Sequence, residues 1–520
     1  MPRCRRGICL RPATASRWYE SIVHMEAPCL ASIAPPLAAD SGAQVSRDAA
    51  PAGVGLSLAI GWGLGTLAIG ILFNTTGMLL LRYLTDYVGL AAGLAGLLIA
   101  VSKIYDALTD PLMGWISDNT RSRLGRRRPW LLAGTLLCGL ALVALFNVPA
   151  GWSGAPLVAW VVVVLVFYAT AYTVFTVPYM AMPAEMTTDY HERSRLIAFR
   201  VAFIGAGQLV AGYAAPMLIL AFGDGRRGHS RMSMVLAAAL VVCGLACFWM
   251  TRTARATTAN DLGGVGSASR STAAARIAFG EQLRAVAGNR PFMILILSKL
   301  ALLLAIASFG ATFAYFVVHV LKATYALLGT FTVVSTVAMF ASLPLWLRLI
   351  KRTDKRRTFM LAAIAYALLS SSWMLAGPAE PSIWVLVRAG VMGVLGCGTL
   401  LAGQALLPDA IEYDYLRHGE RREALFAGFY SMAEKLASAI GLALTGGFLG
   451  AMGYLSSSDG ALVRQPESAL LGISIAVGAL PAAMLLASCA LIWFYDLTEQ
   501  RLVALRTAVS RADAEGVPVR

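Results

Sequence analysis

The chain has 520 residues, of which 58% are hydrophobic and only 14% are charged, and its mean hydropathy is +0.68. A soluble globular protein carries roughly a quarter charged residues, so this composition excludes an ordinary soluble protein. The net charge of +15 would suit a nucleic-acid-binding protein, but the basic residues gather in segments between long apolar runs, which argues against that class. The five histidines lack the spacing of metal ligands or of a nucleophile's partner, which argues against an enzyme.

In chain order, windows of about 19 residues predict twelve transmembrane helices. Each is long enough to cross a hydrocarbon core of roughly 30 Å. The predicted spans are 54–81, 90–117, 129–148, 156–180, 196–222, 232–251, 291–318, 326–350, 358–376, 383–412, 424–452 and 469–496. The sequence therefore predicts an all-α integral membrane protein.

Two charged motifs occur once in each half of the chain. The basic hairpin that ends at Arg128 is repeated in a segment that ends at Arg357, an offset of 229 residues. A mixed-charge cluster around Arg193 is repeated around Arg421, an offset of 228 residues. Nearly equal offsets predict two related halves with a solute path between them near the membrane midplane.

The longest polar break divides the twelve spans six and six, and this sets the predicted domain organisation. The predicted segments are a disordered N-terminal extension (1–53), a first six-helix bundle (54–251), a linker (252–290), a second six-helix bundle (291–496) and a C-terminal tail (497–520). Met25 offers an alternative translation start within the extension. The basic residues between spans 2 and 3, 6 and 7, and 8 and 9, and in the tail, predict that both termini are cytoplasmic. Arg226, Arg227 and Arg231, between spans 5 and 6, do not follow this rule.

Ionisable residues inside the apolar spans are the strongest functional signal. Asp106 and Asp110 share one face of span 2, and Lys103 lies one turn earlier. Each costs roughly 2.5–3.5 kcal/mol on insertion scales, so such groups face a cavity, an ion or each other. At about 1.5 Å per residue, Asp106 and Lys435 lie at similar depths of about 18 Å from the predicted cytoplasmic surface, in opposite halves. Two carboxylates with a nearby ammonium predict a site for a small cation or an exchangeable proton; the alternative is a static ion pair between the halves.

Further candidates for the solute and coupling sites lie in spans 4, 5 and 7. They are Tyr172, Thr173, Thr176, Arg200 and Lys299, and Pro178 is expected to open its helix beside a cavity. The alternatives are that the threonine hydroxyls bond to their own helix and that the long Lys299 and Arg200 side chains extend to the membrane surface.

Charges of both signs alternate at the predicted cytoplasmic ends of the spans. Exposed ion pairs are worth roughly 0–1 kcal/mol each, which suits a lock that opens during a transport cycle; a solvated surface is the alternative. The candidate lock residues are Asp118, Arg126, Glu185, Arg193, Asp409, Glu412, Arg421 and Glu423.

Residues 105–130, which contain the two aspartates and the basic hairpin, resemble the signature of the glycoside–pentoside–hexuronide:cation symporters, the melibiose-permease branch of the major facilitator superfamily. Thr85-Asp86, Val177-Pro178-Tyr179, Asn289–Phe292 and Gly419–Glu423 match the same family, so the resemblance extends over about residues 55–495. It implies twelve helices in two pseudo-symmetric bundles.

The resemblance also implies roles for individual residues. Asp106 and Asp110 would carry a coupling cation (Na⁺, Li⁺ or H⁺), with Thr109 and Thr173 near it, and Lys435 would link the cation and sugar sites. Tyr172 and Arg200 would lie in the central cavity. The cytoplasmic lock would comprise Asp409, Glu412, Arg421 and Glu423.

This chain departs from melibiose permeases at two positions where they carry acidic sugar-binding residues. It has Gly70 in span 1 and Thr176 in span 4. We therefore expect a monomeric, cation-coupled symporter of a bacterial inner membrane that moves a small organic solute, with no cofactor beyond the coupling ion. The first alternative is a carrier of lysolipids or other amphiphiles, and the second is a non-transporting membrane sensor.

Overall fold

The computed structural model describes residues 55–186, 190–253, 284, 286–378, 380–418, 422–457, 463–497 and 499–514. The predicted N-terminal extension, most of the predicted linker and the last residues of the tail lie outside these ranges.

Each of the twelve predicted spans corresponds to one described helix, and a further helix comes after them in the chain. They are α1 (Leu56–Thr75), α2 (Ala92–Asn119), α3 (Arg128–Leu145), α4 (Gly154–Met186), α5 (Tyr190–Leu209, continuing to Ala215–Ala221), α6 (Arg226–Met250), α7 (Arg290–Tyr315), α8 (Tyr325–Arg352), α9 (Lys355–Ser371), α10 (Ser382–Ala405 and Leu407–His418), α11 (Glu423–Ala451), α12 (Glu467–Val477 and Ala479–Trp493) and α13 (Glu499–Ala514).

Eleven of the described helices are long and apolar enough to cross a membrane. The one predicted span outside this set, α11, has 29 residues and is also long enough, but it carries Glu434 and Lys435 side by side near its middle. Its lower apolar content thus comes from charges that the site described below uses.

The expectation that Pro178 opens its helix is wrong, because α4 continues through Pro178 and Pro183 to Met186. Hydrogen bonds between Tyr179 and Trp62 of α1 support the helix at this point. Its hydroxyl donates a hydrogen bond of 2.6 Å to the carbonyl oxygen of Trp62, and the Trp62 indole donates to the carbonyl oxygen of Tyr179. A proline removes one backbone donor from a helix, and contacts with a neighbouring helix compensate for that loss.

The two halves pack with the same pattern. In the first half, α1 contacts α5 and α6, α2 contacts α4, and α3 contacts α4 and α6. In the second half, α7 contacts α11 and α12, α8 contacts α10, and α9 contacts α10 and α12. Adding six to each helix number converts the first pattern into the second. The two largest sets of contacts between halves, α2 with α11 and α5 with α8, obey the same relation.

Glycines let α2 and α11 approach closely across the interface between the halves. A Cβ atom added at Gly96 would lie 2.7 Å from the carbonyl oxygen of Leu442 and 3.0 Å from Cα of Gly446. Small residues allow such contact between membrane helices. Because the two helices run antiparallel, the residues that follow Gly96 meet those that precede Gly446, and this places Asp106 opposite Lys435.

Candidate functional site

The structure brings Asp106, Asp110 and Lys435 together where α2 contacts α11. The Lys435 ammonium donates a hydrogen bond of 3.0 Å to Asp106 Oδ2 and also contacts Asp110 Oδ2. From α4, the Thr173 hydroxyl lies 2.5 Å from Asp106 Oδ1 and 3.3 Å from Asp110 Oδ1. The Asp106 side chain is only 5% exposed, whereas those of Asp110 and Lys435 are about a quarter exposed. One carboxylate is therefore enclosed and the other is accessible.

Two carboxylates and one ammonium give the cluster of Asp106, Asp110 and Lys435 a net charge of −1, which a monovalent cation would neutralise. The Thr109 hydroxyl bonds to backbone carbonyl oxygens of its own helix and lies 3.5 Å from the Thr173 hydroxyl. Within the described ranges, no three His, Cys, Asp or Glu side chains cluster as transition-metal ligands would. Carboxylate and hydroxyl oxygens suit a hard cation such as Na⁺ or Li⁺, or a proton.

A central cavity of about 470 Å³ lies between the two halves. The first half contributes Asn74, Lys103, Tyr168 and Gln208 to its wall, and the second half contributes apolar residues of α7 together with Thr332, Glu434 and Ser438. Two of the lining residues are neighbours of the charged cluster in sequence. Lys103 precedes Asp106 by about one helical turn, and Glu434 directly precedes Lys435. The cavity therefore adjoins the cluster of Asp106, Asp110 and Lys435, and both halves contribute to the cavity and to the cluster.

Lys103 lies in a box of aromatic rings in the cavity wall. Its ammonium is 4.9 Å from the ring centroids of Phe73 and Tyr168 and 5.6 Å from that of Tyr172. It donates a hydrogen bond of 3.1 Å to the Tyr168 hydroxyl. The three rings and the cavity thus surround the lysine predicted from its position in span 2.

Lys299 pairs with Glu434, a residue that the sequence analysis did not select. The Lys299 ammonium donates a hydrogen bond of 2.5 Å to Glu434 Oε1 and lies over the ring of Tyr430. The Lys299 side chain is 9% exposed, but that of Glu434 is 50% exposed and lines the cavity. Lys299 therefore does not extend to the membrane surface. Glu434, and not Lys299, lines the cavity.

Packing explains why Gly70 occupies a position that is acidic in melibiose permeases. A Cβ atom added at Gly70 would lie 3.2 Å from Cα of Gly207, where α1 crosses α5. A side chain at this position therefore requires α1 and α5 to move apart by a few tenths of an ångström, and the neighbouring Asn74, whose amide donates to the Gly70 carbonyl oxygen at 2.9 Å, lines the cavity. Two buried side-chain atoms nearby, Thr176 Oγ1 and Arg200 Nε, have no hydrogen-bond partner among the described residues.

The predicted cytoplasmic lock is only partly visible. Three ion pairs each join residues of one half: Asp118 with Arg127, Asp409 with Lys355 at 2.7 Å, and Glu412 with Arg506 of α13. Arg126 lies half-buried in the hairpin after α2. Glu185, Arg193 and Glu423 belong to α4, α5 and α11, but their side chains lie outside the description, as does Arg421 entirely.

A buried network joins the two halves at the opposite end of the molecule, about 40 Å away along α2. Arg82 binds Asp86 at 2.9 Å and also donates to the Tyr325 hydroxyl of the second half. Tyr454 donates to Asp86 Oδ1 at 2.6 Å, and His319 lies 3.5 Å from Asp86 Oδ2. Burial opposes ionisation of Asp86, but the hydrogen bond from His319 and the charge of Arg82 outweigh it and lower the pKa of Asp86. We call these five residues the far-end network; it fastens the halves together in this conformation.

Two pseudo-symmetric six-helix halves around a central cavity define a transporter of the major facilitator superfamily. The chain belongs to the MFS/sugar transport protein family, whose model matches residues 61–499. The predicted family, all-α fold and membrane location are thereby confirmed, and the chain is an integral membrane transporter and not an enzyme. The cytoplasmic location of both termini stays a prediction.

Similar proteins agree with this assignment. The chain is 31% identical to the putative glycoside/cation symporter YagG of Escherichia coli (strain K12), over 88% of this chain and 96% of that protein. It is 28% identical to a glucuronide carrier protein homolog of the same organism, over 85% of this chain and 93% of the relative. A crystal structure of a D-xylose-proton symporter has a similar fold, with a TM-score of 0.61, 15% identity, and coverage of 84% of this chain and 97% of that one.

Proposed function

We propose that the chain is a cation-coupled symporter that binds its coupling ion at Asp106 and Asp110 and its solute in the central cavity. The observation that carries this proposal is the contact of Lys435, from the second half, with both carboxylates of the first half. An ion that binds these carboxylates competes with the Lys435 ammonium. Cation binding therefore changes a contact between the halves beside the cavity.

Coupling follows from this competition. When a cation takes over the carboxylates, Lys435 loses its partners, and the face of α11 that carries it and Glu434 rearranges at the cavity wall. A ligand shifts a conformational equilibrium only through its different affinity for the two states. Here the cation-bound state and the ammonium-bound state differ in a contact that links the halves, which is what alternating access requires.

Thermal unfolding of the purified protein tests the proposal without knowledge of the solute. Na⁺ and Li⁺ are titrated at constant ionic strength, and protons are titrated in a separate series, for the wild type, Asp106→Asn and Asp110→Asn. Each substitution brings the site from −1 to zero, so the cation response should disappear while the protein still folds. Asp496→Asn removes a carboxylate from an exposed pair with Arg501 and is the matched control.

Two results would contradict the proposal. One is a full cation response in both Asp106→Asn and Asp110→Asn. The other is a wild type that responds to none of the three ions.

The solute we propose is a sugar-like molecule, because hydrogen-bonding groups from both halves face the cavity, among them Asn74, Gln208 and Thr332. An amphiphilic solute such as a lysolipid is the second candidate, because α7 contributes only apolar side chains such as Leu303 and Ile306 to the opposite wall of the cavity. Stabilisation by lysolipids, with sugars inert, would favour the second candidate.

A further inference from the structure

A second cavity, of about 500 Å³, lies at the end of the molecule opposite the far-end network. The end of α8, the turn to α9 and the start of α9 contribute most of its lining, and Trp493 of α12 and Gln500 of α13 contribute the rest. It shares no lining residue with the central cavity. Ligand pockets have volumes of roughly 300–1,000 Å³, so this cavity is large enough to hold a ligand.

The charged side chains that line this cavity are mostly basic. Lys351, Arg356 and Arg357 supply three positive charges and Asp354 one negative charge, which leaves a net charge of +2. Among the residues that the structure describes, none of the three cations has a carboxylate within ion-pair distance. Arg356 instead donates a hydrogen bond to the backbone carbonyl oxygen of Trp493. A concave surface with uncompensated positive charge attracts an anion, and we call this site the basic cavity.

An apolar stripe leads from the basic cavity into the membrane along α9. This helix begins at the cavity and is long and apolar enough to cross the membrane. Met360, a lining residue, is followed at intervals of four residues by Ile364 and Leu368, so the three side chains share one helix face. Ile364 and Leu368 are exposed on the outer surface of the helix. An acyl chain in contact with this face therefore starts beside the basic cavity.

Trp493 places the basic cavity at the level of the membrane surface. Its side chain is 64% exposed at the end of α12, and tryptophan is enriched where membrane helices meet water. The cations and the apolar stripe thus lie on the two sides of a membrane–water boundary. A free phosphate or an acidic protein segment would pair with the cations but would not use the stripe, whereas a phospholipid uses both.

We propose that the basic cavity binds the headgroup of an anionic phospholipid of the surrounding membrane. The phosphate pairs with Lys351, Arg356 and Arg357, and an acyl chain lies along the stripe on α9. Asp354, in the same lining, can accept a hydrogen bond from a headgroup hydroxyl, which suits a glycerol headgroup. A zwitterionic lipid brings no net negative charge to a site of +2. The inference requires neither the coupling ion nor the solute of the proposed function.

Lipid binding to the purified full-length chain tests the proposal. Native mass spectrometry measures the affinity of the first bound lipid for palmitoyl-oleoyl phosphatidylglycerol and for palmitoyl-oleoyl phosphatidylcholine, which have the same acyl chains. The wild type should bind the anionic lipid roughly 30-fold more tightly, the effect expected of two uncompensated cations near a membrane surface. Glycerophosphoglycerol, the same headgroup without chains, should not displace the lipid even in large excess.

Charge variants locate the effect in the basic cavity. The double variant Lys351→Gln/Arg357→Gln brings the lining from +2 to zero and should bind the two lipids equally. Arg352→Gln is the matched control, because Arg352 is an exposed neighbour of Lys351 that does not line the cavity, and it should keep the preference. Size-exclusion profiles show whether each variant is folded. If the double variant is not, Lys351→Gln alone should lower the preference roughly 5-fold.

Three results would overturn the inference. The first is equal affinity of the wild type for the two lipids, and the second is an unchanged preference in the folded charge variant. The third is displacement of the lipid by glycerophosphoglycerol at comparable concentration, which would assign the basic cavity to a soluble phosphate compound. Because the readout is lipid binding, none of these results bears on the coupling ion or on the solute.

Discussion

Replacing Lys435 by Gln should tighten cation binding at Asp106 and Asp110, because the Lys435 ammonium holds the position that the cation needs. At an effective dielectric constant of about 20, a unit charge about 4 Å away is worth about 4 kcal/mol. Asp110 and Lys435 keep 28% and 26% of their side-chain surface exposed, so solvent screening reduces this figure. We take about half, or about 2 kcal/mol, which corresponds to about a 30-fold increase in affinity.

The assay is a titration of the thermal unfolding midpoint with Na⁺ or Li⁺ at constant ionic strength. In ion-free buffer, Lys435→Gln should unfold at a lower temperature than the wild type, because the carboxylates then lack a counter-charge. Its half-saturating cation concentration should fall by about 30-fold, the same factor as the affinity. An unchanged half-saturating concentration in Lys435→Gln, or a complete loss of the cation response, would refute the competition between Lys435 and the cation.

Two further predictions concern packing and the far-end network. Gly70→Asp should force α1 and α5 apart by a few tenths of an ångström at the tight contact with Gly207; it should lower the unfolding midpoint, whereas Gly77→Ala, at a position with open space around it, should not. Tyr454→Phe removes a hydrogen bond to the Asp86 carboxylate worth about 2 kcal/mol and should increase labelling of Ser438→Cys in the cavity by an impermeant maleimide added on the far-end side of the membrane. Equal labelling with and without Tyr454→Phe would show that the network does not hold the far end closed.

The sequence predicted those features that depend on local pattern and on depth. Each of the twelve apolar runs predicted a helix because membrane helices must satisfy their own backbone hydrogen bonds. The contact between Asp106 and Lys435 was predictable in outline, because both lie at a similar distance from the ends of their spans. The same reasoning gave Asp110 as a neighbour, since it shares a helix face with Asp106.

Glu434 and the far-end network were both missed, for different reasons. Glu434 is an ionisable residue inside a predicted span, and the same cost argument that selected Lys435 would have found it. The far-end network had no such signal, because Arg82 and Asp86 follow the first span and their partners Tyr325 and Tyr454 come from distant helices.

Local sequence also says little about how closely two helices approach. The sequence showed Gly70 as a departure from melibiose permeases, but not that α1 and α5 cross tightly at Gly70 and Gly207. The helix Glu499–Ala514 in the tail, which pairs with Glu412 through Arg506, was likewise not predicted.

Solute uptake into proteoliposomes tests the central claim most directly, with an inward gradient of Na⁺, Li⁺ or H⁺ as the only energy source. The account predicts that one of these gradients accumulates solute above its outside concentration, and that Asp106→Asn abolishes accumulation while Asp496→Asn does not. Accumulation that persists in Asp106→Asn, or wild-type transport that only equilibrates the solute under every gradient, would contradict it.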